Sequence, residues 1–146
     1  MAQEMYATTA AMLSRFGEQD LILLTEREGS TPGEINLPVL EQALADASAE
    51  IDGYIMGRYT LPLASVPTVL ERNCCDIARY FLYGERAPEQ VEKRYQAVVK
   101  YLTSVSKGEI SLGLDELGQS AGQSELTVSI ESAGSVFGRQ SSKGFV

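Results

Sequence analysis

The chain has 146 residues and sets 20 acidic against 12 basic side chains, a net charge of −8. It contains no histidine, which removes the commonest general base, the commonest metal ligand and the usual switch near neutral pH. The length fits one domain with enough apolar content for a core, and the adjacent pair Cys74 and Cys75 suits neither a mutual disulfide nor a zinc site.

In chain order, the first expected element is a short helix after Met5, capped at Thr8 or Thr9 and stopped by Gly17. A hydroxyl at the cap accepts from the unpaired amides of the first turn, and glycine tolerates the conformation that ends a helix. Glu18 to Thr25 forms a second short helix carrying Leu21, Leu23 and Leu24. Residues 26–36, with two glycines, a proline and no periodicity, form a loop.

Asn36 then caps a long helix that holds Pro38 in its first turn. Leu37, Leu40, Leu44, Ala47, Ile51 and Tyr54 recur at spacings of three and four and predict one buried stripe. Glu41, Glu50 and Asp52 fall away from it, and small residues from Ala43 to Ala49 allow close approach of another helix. Past Gly53 and Gly57 the chain breaks into Arg58-Tyr59-Thr60-Leu61-Pro62-Leu63, a shaped connector suited to docking on another protein. Pro62 and Pro67 keep their preceding residues away from helical angles, so residues 60–67 are extended.

Pro67 opens a helix to about Tyr83, with Leu70, Cys74, Ile77, Ala78 and Phe81 on one face and Gly84 at its end. Pro88 opens the last helix, with Val91, Tyr95, Val98, Leu102 and Val105 on its stripe and Gly108 as its stop. The expected fold is mostly α: a small antiparallel bundle with short N-terminal helices, forming a helical domain over residues 1–108. Residues 109–146 are glycine- and serine-rich and predict a flexible, partly β extension with one short strand at 126–131, ordered by a partner. No signal peptide or membrane span is recognisable, so a reducing cytoplasm is the expected setting and no membrane is involved.

Charge is unevenly placed. Residues 1–71 carry a net of −8, residues 72–107 a net of +3 and residues 108–146 a net of −3. The first two segments are expected to attract each other, since no aromatic-interleaved basic cluster marks a nucleic-acid site. A small DNA-associated regulator using residues 72–107 is one alternative function.

The best catalytic-looking set is Asp46, Glu50 and Asp52 with Arg58. Asp46 and Glu50 lie one helical turn apart and can share a hard cation, as a metal-dependent phosphoesterase would require. The plainer reading, a solvated acidic face, is preferred. Cys74 reads as a buried thiol beside an indifferent Cys75. Tyr59 and Tyr80 are candidate exposed anchors. No catalytic residue, metal ligand or cofactor is nominated.

Several blocks in a fixed order resemble the Mu-like prophage neck protein family. They are Met5-Tyr-Ala-Thr, Arg15-Phe-Gly-Glu18, Ala43 to Tyr54, Gly57-Arg-Tyr-Thr-Leu-Pro-Leu63, Asp76-Ile-Ala-Arg-Tyr-Phe-Leu-Tyr83 and Arg94-Tyr95 with Lys107-Gly108, and a looser likeness appears at Phe137-Gly-Arg139 and Lys143-Gly-Phe145. The resemblance implies a structural head–tail connector of the neck, related to the helical portal adaptors of long-tailed phages and not an enzyme. Its implied partners are the portal protein, neighbouring neck proteins and further copies of itself in a ring. DNA would pass through without specific binding, and the protein would move from host cytoplasm to virion neck. On that reading the candidate partner-binding residues are Arg58 and Tyr59 in the connector, and Val136, Phe137, Arg139 and Phe145 in the tail.

Overall fold

Caps and glycines set the helix boundaries. The computed structural model describes residues 5–114 and runs α1 (Thr9–Phe16), α2 (Glu18–Thr25), α3 (Leu37–Ile55), α4 (Thr68–Tyr83) and α5 (Glu89–Ser106), with a 3-10 turn at Gly84–Arg86. Thr8 caps α1 by accepting from the Ala11 N–H at 3.1 Å. Gly17, with φ 89°, closes α1 and opens α2 in one residue, in a region that L side chains resist. Asn36 sits at the start of α3 as expected, but its side chain makes no capping bond. Its backbone N–H instead donates to Thr25 Oγ1 at 2.9 Å and ties the incoming loop to α2.

The elements of the described residues are all helical, as the periodicity predicts. α3, α4 and α5 pack on one another, and α1 and α2 lie against α3 and α4. Leu40, Leu44, Ile51, Leu70, Ile77, Leu102 and Val105 are fully enclosed. Burying an aliphatic side chain of that size contributes about 1.5–3 kcal/mol.

Two stripes differ from expectation. Leu37 is 51% exposed because α3 begins there, before its neighbours cover it, whereas Ala43, Ser48 and Ile55 join the buried face. On α4, Asn73, Cys75 and Leu82 are buried besides the expected residues, while Phe81 is half-buried. Cys75 is therefore not indifferent: both thiols are 0% exposed. The reason is that α4 is covered from two sides, by α3 and by α1, and Arg15 of α1 pairs with Glu71 of α4 at 3.2 Å. Burial pushes the Cys74 thiol up and the Cys75 thiol up to about 12, so neither is a thiolate at neutral pH.

The segment ahead of α1 is locked into the same core. Tyr6 N–H donates to Ser48 Oγ at 3.0 Å, and that hydroxyl lies 3.5 Å from Cys74 Sγ. The Tyr6 hydroxyl donates to the Asp52 carboxylate. At its other end the packed body continues past Gly108: Leu112 is buried and Leu114 packs against the core. The expected strand at 126–131 lies outside the described residues.

Candidate interaction surfaces

The connector leaves α3 through a tight turn in which the N–H groups of Arg58 and Tyr59 both donate to Ile55 O, at 2.9 and 3.0 Å. Leu63 is buried and Leu61 half-buried, and the Leu61–Pro62 peptide is cis. These leucines pin the segment while Met56, at its start, stays 66% exposed. The Tyr59 ring is half-buried and its hydroxyl accepts from the Leu112 N–H at 3.0 Å. Arg58 is exposed and lays its guanidinium over Gly108. A Cβ at that glycine would sit 2.9 Å from Arg58 Cζ, so the crossing depends on the missing side chain. The structure thus joins the connector to the end of α5, and of the two expected contact residues Arg58 faces outward while Tyr59 also holds the fold. Tyr80, expected as an exposed anchor, is half-buried and stacks on Tyr95 at 4.1 Å with ring planes 3° apart. Val136, Phe137, Arg139 and Phe145 lie outside the described residues.

A second surface was not anticipated. A groove of about 500 Å³ opens between α1, α4 and α5, lined among others by Arg15, Arg72, Asn73, Asp76, Arg94 and Tyr101. Burial raises the Asp76 carboxyl, opposed by the guanidinium groups of Arg94, Arg72, Arg79 and Arg15. Arg79 is occupied, with its guanidinium 4.6 Å from the centre of the Phe16 ring. Arg72 and Arg94 make no ion pair among the described residues. Asn73 is 2% exposed and its Nδ2 has no hydrogen-bond partner among the described residues. The only sequence signal for the groove is basic residues on two helices that turn out to be neighbours.

The attraction expected between the acidic and basic segments is not realised as ion pairing. Arg15–Glu71 lies within residues 1–71 and Glu89–Lys93 within residues 72–107, and no ion pair among the described residues joins the two segments. Tertiary packing turns Arg72 and Arg94 toward the groove instead.

Asp46, Glu50 and Asp52 are not brought together. Asp46 accepts from Gln42 Nε2 at 2.9 Å, Glu50 accepts from the Tyr95 hydroxyl at 3.0 Å, and Asp52 accepts from Tyr6. Glu50 and Asp52 are two residues apart and point about 200° from each other around α3. Among the described residues no three histidine, cysteine or carboxylate side chains form a group able to hold a metal ion. The solvated-face reading also needs correction, because Glu50 and Asp52 are half-buried and serve as acceptors for tyrosines of other segments. Burial and the Glu50 hydrogen bond push the Tyr95 phenol up to about 12.

The geometry is that of a small helical body with an exposed connector and an arginine-lined groove, and known proteins resemble this chain. A family model described as Bacteriophage Mu, Gp36 matches residues 6–130. The chain belongs to that family. It is 50% identical over 107 residues to Mu-like prophage FluMu protein gp36 of Haemophilus influenzae, covering 73% of this chain and 75% of that protein. It is 37% identical over 141 residues to Gene product J of Escherichia phage Mu, covering 97% of this chain and 99% of that protein. The match takes in the connector, the groove and both cysteines, so the surfaces described above belong to the Gp36 region of a Mu-like phage protein. No helix among the described residues is long and apolar enough to cross a membrane.

Proposed function

We propose that this Gp36-family chain is a structural head–tail connector of the phage neck, an adaptor that docks on the portal ring during virion assembly and is not an enzyme. The observation that carries the reading is the connector between α3 and α4. Met56 stands 66% exposed beside the outward-facing Arg58, on a segment whose own leucines are already buried. An exposed apolar side chain next to an arginine is the composition of a contact face. The family match supports it by spanning residues 6–130, which hold most of the blocks that resemble neck proteins.

In this reading subunits meet in a ring through unlike faces, with Arg58 and Tyr59 at the contact. Val136, Phe137, Arg139 and Phe145 reach the portal, and the assembled protein resides in the virion neck. DNA passes the ring without specific binding, consistent with a net charge of −8. The test mixes purified chain with portal rings and examines the mixture by size exclusion and negative-stain imaging. A collar on the tail-facing end of the portal is the expected result. Deletion of residues 132–146 should abolish that collar and leave the melting temperature unchanged. Undiminished portal binding by the truncated chain would sink the tail assignment, and absence of any collar with full-length chain would sink the adaptor role.

A further inference from the structure

The arginines of the groove face a single carboxylate within it, Asp76. Arg72 on α4 and Arg94 on α5 flank it without an ion pair among the described residues. The buried Asn73 also lines it, and its Nδ2 has no acceptor among the described residues. A buried donor left in that state has lost its water without replacing it, and an incoming acceptor restores the missing hydrogen bond. Guanidinium groups and an amide N–H converging on one groove match carboxylates, which accept from arginine in pairs. Duplex DNA fits less well, because the groove is concave, Asp76 lies within it and the chain as a whole is strongly acidic.

The acids that match are close by in the chain. Tyr59 holds the Leu112 N–H at 3.0 Å, and Leu114 packs on the core. The Tyr59 phenol acts electrostatically on Tyr101, which lines the groove and also feels Arg72. From Leu114 the sequence continues directly into Asp115 and Glu116, followed by Glu125 and Glu131, with no lysine or arginine from 115 to 131. At about 3.3 Å per extended residue, a stretch of that length reaches the whole groove.

We propose that the groove between α1, α4 and α5 is the docking site for the chain's own acidic stretch, residues 115–131, whose carboxylates pair with Arg72 and Arg94. The proposal concerns the isolated chain and needs no portal, so its outcome is separate from that of the neck reading.

The test uses the full-length chain and a glutamyl endopeptidase, with mass spectrometry to resolve cuts after Glu116, Glu125 and Glu131. At low salt the wild type should be cut at these sites about fivefold more slowly than Arg72→Glu/Arg94→Glu, because cleavage follows the undocked population. High salt should remove the difference by screening the pairs. Adding Asp115→Lys and Glu125→Lys to the double variant should restore slow cleavage at Glu116 and Glu131. Should the reversal unfold the chain, Arg72→Gln/Arg94→Gln serves in its place, with a melting curve as control. Equal cleavage of wild type and variants at both salt levels would overturn the proposal. So would protection that grows with protein concentration, which assigns the groove to a neighbouring copy. Salt-sensitive binding of duplex DNA that the double variant loses would assign it to nucleic acid.

Discussion

The two sides of α4 handle polar groups in opposite ways. Toward α3, the buried polar groups are linked to one another: Ser48 takes the Tyr6 N–H and sits against Cys74, and the Tyr6 hydroxyl finds Asp52. Toward α1 and α5, among the described residues, the groove keeps two arginines without ion pairs and a buried amide nitrogen without an acceptor. The difference separates what holds the fold from what is offered to a ligand. A satisfied buried network makes one packing unique, whereas unsatisfied donors at a surface represent interaction energy still to be realised.

Substitutions on the two sides should therefore differ in size and in sign. The largest effect is expected at Ile51→Ala, which opens a cavity where α3 meets its neighbours and should cost about 2–5 kcal/mol in a urea or thermal unfolding curve. Ser48→Ala comes next. It removes the Ser48 hydroxyl that accepts from the Tyr6 N–H, for a loss of about 1–3 kcal/mol, and amide exchange at Tyr6 should rise in step. A loss as small as that of a surface substitution would show that the seam contributes little. Tyr59→Phe removes the acceptor for the Leu112 N–H and should cost about 1 kcal/mol.

On the groove side Arg72→Gln should shift stability by no more than about 0.5 kcal/mol, because Arg72 is exposed and belongs to neither ion pair of the described residues. Asp76→Asn should stabilise the chain. Burial raises the Asp76 carboxyl, so folded Asp76 holds its proton better than the unfolded chain does. The stability it confers is full below the ordinary carboxylate range and is lost as pH rises through the folded value. The asparagine variant should therefore melt above wild type at pH 7, with the gap closing as pH falls below about 4. A variant that melts below wild type at pH 7 would mean that the surrounding arginines, not burial, dominate this carboxyl.

Much of the architecture was legible without tertiary information. Thr8, Gly17, Pro67, Gly84 and Pro88 mark helix ends by their own backbone chemistry, and Leu40, Leu44, Ala47 and Ile51 mark a buried face by spacing. Tyr6 was illegible because no periodicity distinguishes a residue ahead of a helix that folds back into a core. Cys75 falls outside the single stripe that spacing predicts because α4 is covered by four other helices, α1, α2, α3 and α5. The acidic set on α3 looked like a shared site in sequence, yet helical rotation sends Glu50 and Asp52 to tyrosines on different segments. Of the candidate contacts, the connector was legible through Pro62 and its flanking leucines, and the arginine groove was not.

By itself the sequence determined the helices, their order and the absence of histidine chemistry, since these depend on local conformational preference and composition. Tertiary structure alone decided which charges find partners. Arg15 reaches Glu71 across 56 positions and Glu50 receives Tyr95 across 45, while Arg72 and Arg94 converge on a common groove without an ion pair. Pairing of charges is set by distance in space, and the packing of α1 and α5 against α4 sets those distances.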